Sequence, residues 1–157
     1  MNEQPYIDLY KQTVESIKKH SAACLNTRRD EAFDRFTAVG FPTTKEENYL
    51  YCHLMEHLGI DYGLNINRIN IPVDPSNVFK CDVPGIQAYL YFILNDQFYT
   101  GSGATSKPLP DGVVMCSMIE ASERYPELLA TYLGKQAANK KDGFTAFNEA
   151  FAQDGFF

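Results

Sequence analysis

The hydrophobic pattern changes period once along this chain, and that change restricts its fold more than any other feature. Through residue 59, apolar side chains recur every three or four positions, the spacing of one helix face. From Ile86 they gather in β-branched and aromatic blocks. Between the two textures, Asn65, Asn67, Asn70, Pro72, Asp74, Pro75, Asn77 and Pro84 break every long period. The pattern predicts an α+β chain: N-terminal helices, an irregular connection, then a small β-sheet with packed helices. The expected boundaries are 1–59 for the helical segment, 60–84 for the connection and 85–157 for the α+β segment.

Within the first segment, Ile7, Tyr10, Val14 and Ile17 predict a helix over 5–25. A second helix is expected after Asn26-Thr27, striped by Ala32, Phe33, Phe36 and Val39, capped by Gly40 and stopped by Pro42. Thr44 and Glu47 have capping-box spacing and predict a third helix through Tyr49, Leu50, His53, Leu54, His57 and Leu58, closed by Gly59. Later, Ala88–Leu94 and Gln97–Tyr99 around Asn95-Asp96 predict a hairpin. After Pro110–Gly112, Val113–Ser117 reads as a short buried strand. Ser117 and Glu120 have capping-box spacing before a helix carrying Ile119, Leu128, Leu129, Tyr132 and Leu133, which Pro126 splits or restarts and Gly134 ends. Asp142 opens a last helix with Phe144, Phe147 and Phe151 on one face, stopped by Asp154-Gly155. Phe156-Phe157 then resemble the first residues of a strand, so the chain reads as cut there.

Composition removes whole classes of function. At 157 residues the chain is one domain's worth by the usual measure of roughly 100–200. With 45% hydrophobic and 22% charged residues it is globular in composition. The longest apolar run, Ala88–Leu94, falls far short of the roughly 20 residues that span a bilayer. Met1–Glu15 has no apolar core of a secretory signal, and a cytoplasmic location is expected. The net charge of −6 opposes phosphate binding, and no nucleic-acid partner is expected. Cys24, Cys52, Cys81 and Cys116 are widely spaced, which reads as buried thiols and not as a disulfide or zinc framework.

No enzyme constellation emerges. His53 and His57 have the i, i+4 spacing of two zinc ligands, but Leu54 stands where a metallopeptidase needs a glutamate. A metal hydrolase built on this pair is the weaker rival reading. Gly101–Lys107 lacks the Gly-Lys-Ser/Thr ending of a phosphate loop, and Pro108 takes the hydroxyl residue's place. Cys52 and His53 are sequence neighbours, which do not face each other on a helix. No cysteines are close enough for a local iron–sulfur motif. The ten tyrosines and eleven phenylalanines suit a core or a protein interface. Catalytic, cofactor-binding and metal-binding residues are therefore all expected to be none.

Two stretches together carry a resemblance. Gly40-Phe-Pro-Thr-Thr-Lys-Glu-Glu-Asn-Tyr-Leu-Tyr51 resembles the G-[LF]-P-T-x-x-[DE]-E-x-W-[KR]-Y signature of the SufD branch of the SufB/SufD iron–sulfur cluster assembly family. Leu109-Pro-Asp-Gly-Val-Val114, Glu127-Leu128, Tyr132-Leu-Gly-Lys135, Phe144-Thr-Ala-Phe-Asn148, Ala150-Phe151 and Asp154-Gly155 follow in that family's order. Ile93-Leu-Asn-Asp-Gln-Phe98 resembles its F-x-N-G-x-F hairpin, with Ile93 in place of Phe and Asp96 in place of Gly. Tyr49 and Leu50 depart from the signature, standing where it has Trp and a basic residue. The resemblance implies a non-catalytic scaffold region whose parallel β-helix would follow residue 157. It also implies SufB-like and SufC-like partners engaged through downstream regions, with ATP bound by SufC. No cofactor is implied for residues 1–157, since the iron–sulfur cluster is the whole complex's product. A free-standing protein–protein interaction module is the alternative.

Overall fold

The computed structural model describes residues 3–58, 66–69, 72–75, 89–99, 108–135 and 142–157. In chain order these form α1 (Gln4–His20), α2 (Ala23–Val39), a 3-10 turn (Glu47–Tyr49), α3 (Leu54–Leu58), β1 (Ile93–Leu94), β2 (Gln97–Phe98), α4 (Met118–Arg124), α5 (Pro126–Tyr132) and α6 (Gly143–Phe151). The chain is α+β, with one two-stranded antiparallel sheet among the described residues. The expected stop at Gly59, Cys81, the loop Gly101–Lys107 and most of the 60–84 connection lie outside the described residues.

The first helix ends earlier than the 5–25 expected, and the break falls at Ser21-Ala22 instead of Asn26-Thr27. Ser21 is extended, and its hydroxyl donates to Ile17 O at 2.6 Å. Ala22 is fully buried, and its N–H donates to Gln153 O at 3.0 Å. A distant backbone carbonyl thus draws the chain out of helix, which no local period reports. Asn26, read as a linker, lies inside α2 and clamps the junction by donating to Lys18 O at 2.8 Å.

The capping box expected at Thr44 and Glu47 does not form, and it is the Glu46 carboxylate that reaches back to Thr43. Thr43 N–H donates to the Glu46 carboxylate at 2.9 Å, and Glu46 N–H to Thr43 O at 3.0 Å. Glu47–Tyr49 make only a 3-10 turn, and α3 is five residues long. The long third helix does not form, and the Tyr49 hydroxyl donates to Asp142 Oδ2 at 2.9 Å.

α2 lies along α6, and aromatic rings close the seam. Tyr10 stacks on Phe33 at 3.8 Å, and Phe36 meets Phe41 and Phe147 at 4.8 and 5.3 Å. The expected Phe144/Phe147/Phe151 face of α6 supplies rings to this cluster. Inside it sits Arg29, fully buried. Its guanidinium donates to Ala150 O at 2.5 Å and Ala152 O at 2.7 Å, which are end carbonyls of α6, and to Asn26 Oδ1 at 3.1 Å. A cation at a helix C-terminus answers the orphan carbonyls and the negative end of the dipole.

Two other expectations contract. The hairpin forms only as Ile93↔Phe98 and Leu94↔Gln97. Asn95 and Asp96 both take positive φ (48° and 64°), as a type I′ turn requires. The buried strand at Val113–Ser117 is absent. Val113, Val114 and Met115 are exposed, and pairing is confined to Cys116 and Ser117, which lie antiparallel to Phe157 and Phe156. Strand propensity alone cannot make a ladder without a neighbour. The cysteines are not uniformly buried either: Cys116 is buried, Cys24 half-buried and Cys52 exposed, all as free thiols.

Candidate functional site

The sequence nominated no catalytic or ligand residues, and the structure directs attention to a face, not a pocket of chemistry. Pro126 both splits the expected helix and starts α5 at its first turn. The Ser117 hydroxyl caps α4 by accepting from Glu120 N–H at 3.0 Å, while the Glu120 carboxylate turns to Arg124 at 2.6 Å. α5 is thereby set across the end of the chain. Leu129 faces the core, but Leu128 and Tyr132 stay 49% and 71% exposed. With Met118, Leu133, Phe156 and Phe157 they line an apolar cleft of about 330 Å³. On the other side of α5, Ala23, Cys24, Arg28, Ser122, Pro126 and Leu129 line a second cleft of about 450 Å³.

Asp154 fixes this face. Its carboxylate, 3% exposed, accepts from Phe98 N–H, Ile119 N–H and Arg68 Nη2, each at 3.3 Å. Gln97 donates in turn to Arg68 O at 2.8 Å. One buried charge therefore ties the hairpin, the start of α4 and residue 68 together. Such a group tolerates burial because it is paired and hydrogen-bonded. Phe98 and Phe156 meet edge to face at 5.7 Å, and Phe157 stacks on Tyr125 at 5.3 Å.

The titrating groups outside this face are structural. Burial pushes Asp142 up, but hydrogen bonds from Thr145, Tyr49 and Phe144 outweigh it and hold the carboxyl below its ordinary value. Burial and the Asp142 partner push the Tyr49 phenol up to about 12. Burial, then the hydrogen bond and charge of Asp30, raise the Tyr10 phenol. Burial also raises the Cys116 thiol, which makes it a poor nucleophile. The Cys24 thiol lies 3.0 Å from the Ser122 hydroxyl in the wall of the larger cleft.

The two histidines of the zinc-peptidase pattern do not share one helix. His53 precedes α3 and lies 3.6 Å from the Glu56 carboxylate, while His57 lies inside that helix. Among the described residues no three His, Cys, Asp or Glu side chains come together as metal ligands. No described helix is long and apolar enough to cross a membrane. Sequence reasoning missed Asp154 and Arg68, the first read only as a helix stop. The Asp-Gly pair after an aromatic helix face was the available signal, but its three partners lie 35 to 86 residues away.

Residues 1–157 match the family described as SufBD protein N-terminal region. An iron–sulfur cluster assembly SufBD family protein of Synechocystis sp. is 36% identical over 62 residues, covering 40% of this chain and 13% of that protein. No solved structure matches the chain significantly. Since the family match runs from the first residue to the last, the chain belongs to the SufBD family of iron–sulfur cluster assembly proteins, as its N-terminal region.

Proposed function

We propose that this chain is the N-terminal part of a SufD-like scaffold subunit working in the cytoplasm within a SufBCD-type complex. In this reading the complex assembles iron–sulfur clusters and transfers them to apoproteins, while residues 1–157 perform no chemistry and hold no cofactor. Their task is to cover the open end of the β-helix, whose terminal coil would otherwise expose an unpaired edge and an apolar core. SufB-like and SufC-like subunits engage the downstream regions, and ATP belongs to SufC.

The observation that carries the reading is the exposed apolar face around Leu128, Tyr132 and Phe156, set beside the strand-like end of the chain. Isolated surface leucines need no explanation, whereas a contiguous apolar cleft marks a surface made to be covered. The test tags the chromosomal gene at its N-terminus in the native host, measures the intact mass and identifies co-eluting proteins. A product of several hundred residues carrying an ATPase and a second β-helical subunit is expected. A 17.8 kDa product eluting alone overturns the reading in favour of a free-standing interaction module.

A further inference from the structure

The last residues of the chain pair with the segment before α4 in a defined register. Cys116 N–H donates to Phe157 O at 3.1 Å, and Phe157 N–H donates to Cys116 O at 2.9 Å. Ser117 and Phe156 form the antiparallel bridge between this pair and the next, where Met118 N–H donates to Gly155 O at 3.0 Å. In an antiparallel ladder, mutually bonded pairs recur at every second residue. Continued in the same register, the next such pair joins Val114 to the second residue beyond Phe157. Met115 falls opposite the residue that directly follows Phe157.

The half of that ladder already present is built for a partner. Val113, Val114 and Met115 are 51%, 43% and 37% exposed. The N–H groups of Val114 and Met115 make no hydrogen bond among the described residues. Val113 N–H turns back to Pro110 O at 3.1 Å and marks where the edge begins. Two β-branched residues in sequence suit a strand, and an open apolar edge is a site of strand addition.

We infer that Val113–Met115 is the acceptor edge for the polypeptide running on from Phe157 in the longer SufBD proteins, with Val114 opposite the second residue past Phe157. Continuity selects this occupant. The donor strand is already aligned by residues 155–157, so no loop has to be closed and the ordering cost is confined to a few residues. A second copy at the same edge would carry the full association cost. Alternation adds a further requirement. Cys116 is buried and Phe157 stacks on Tyr125, so the second residue past Phe157, on the same face, is apolar.

This inference rests on the reading of residues 1–157 as one region of a longer scaffold, and its test separates the two. Amide exchange at Val114 is measured in residues 1–157 and in the longer protein, with and without co-purifying subunits. The expected result is exchange roughly 100-fold slower in the longer protein, whether or not partners are bound. Equal rates in both overturn the inference, as does slow, concentration-dependent exchange in residues 1–157, which would give the edge to a second copy. Val114→Pro supplies an independent readout, because it removes the N–H donor. It leaves the unfolding midpoint of residues 1–157 unchanged and lowers that of the longer protein; equal effects on both count against the ladder. Protection at Val114 in a longer protein that retains no partner supports the ladder and overturns only the assembly function.

Discussion

Gly143, the first residue of α6, lies against the carbonyl oxygen of Gly40, and a Cβ placed there would overlap that oxygen. The close approach lets α6 settle onto the end of α2, where Gly40 itself turns with φ +73°. Gly143→Ala is expected to cost about 2 kcal/mol or more, as overpacking against backbone does, and urea unfolding at constant m-value measures it. Next to it, Asp142 joins three jobs: it caps α6, accepts from Thr145 and anchors Tyr49. Its folded-state carboxyl is depressed, so its stabilisation is complete above the ordinary carboxylate range near 4 and disappears as pH falls below it. Tyr49 acts at the other limb. Its phenol is raised to about 12, so its contribution holds below pH 10 and is lost as pH rises from 10 towards 12. Because the two groups hydrogen-bond each other, Asp142→Asn should flatten the acid limb of the stability profile and also weaken the alkaline one. Tyr49→Phe should flatten the alkaline limb and leave most of the acid limb, where Thr145 and Phe144 still hold Asp142. An alkaline limb untouched by Asp142→Asn would refute the assignment.

At the scale of elements, α6 depends on a residue of α2. Arg29 spends its guanidinium on the end carbonyls of α6, so Arg29→Ala leaves buried acceptors unpaired and opens a void. A loss of about 3 kcal/mol is expected, seen as a fall of roughly 6 °C or more in Tm. Arg29→Lys should recover little, because an ammonium cannot reproduce the planar fork. The hairpin supplies a prediction of opposite sign. Asp96 carries a Cβ at φ 64°, so Asp96→Gly should stabilise the turn by up to about 1 kcal/mol. Slower exchange of Tyr99 N–H, which bonds Phe92 O at 2.9 Å, reports that gain. These elements were legible to different degrees. The α6 face and both hydroxyl and carboxylate caps, Ser117 and Asp142, could be read directly, since caps and period-3.6 stripes act within one turn. The break at Ala22 could not, because its determinant is the carbonyl of Gln153 at the far end of the chain.

For the molecule as a whole, the useful distinction is between surfaces that hold the fold and surfaces left for something else. On the proposed capping role, the exposed Leu128 and Tyr132 belong to the second kind. Leu128→Gln with Tyr132→Ser should move the unfolding midpoint of residues 1–157 by no more than about 0.5 kcal/mol per site. In the longer protein the same pair is expected to lower solubility or assembly yield. A large loss of stability in residues 1–157 would place these side chains in the core instead. Deleting residues 85–157 is a poor probe of the same question, since it removes α6 from α2 and the acceptors of Arg29 with it. By itself, the sequence determined the class of fold, the Ser117 and Asp142 caps, the aromatic face of α6 and the family resemblance. All of these depend on residues close together in the chain or on their order. Only the tertiary structure decided where α1 ends, which residue Tyr49 serves, and that Asp154 and Arg68 meet. It also decided that Val113–Met115 stand open, because each of these depends on a partner brought from a distant part of the chain, or on the lack of one.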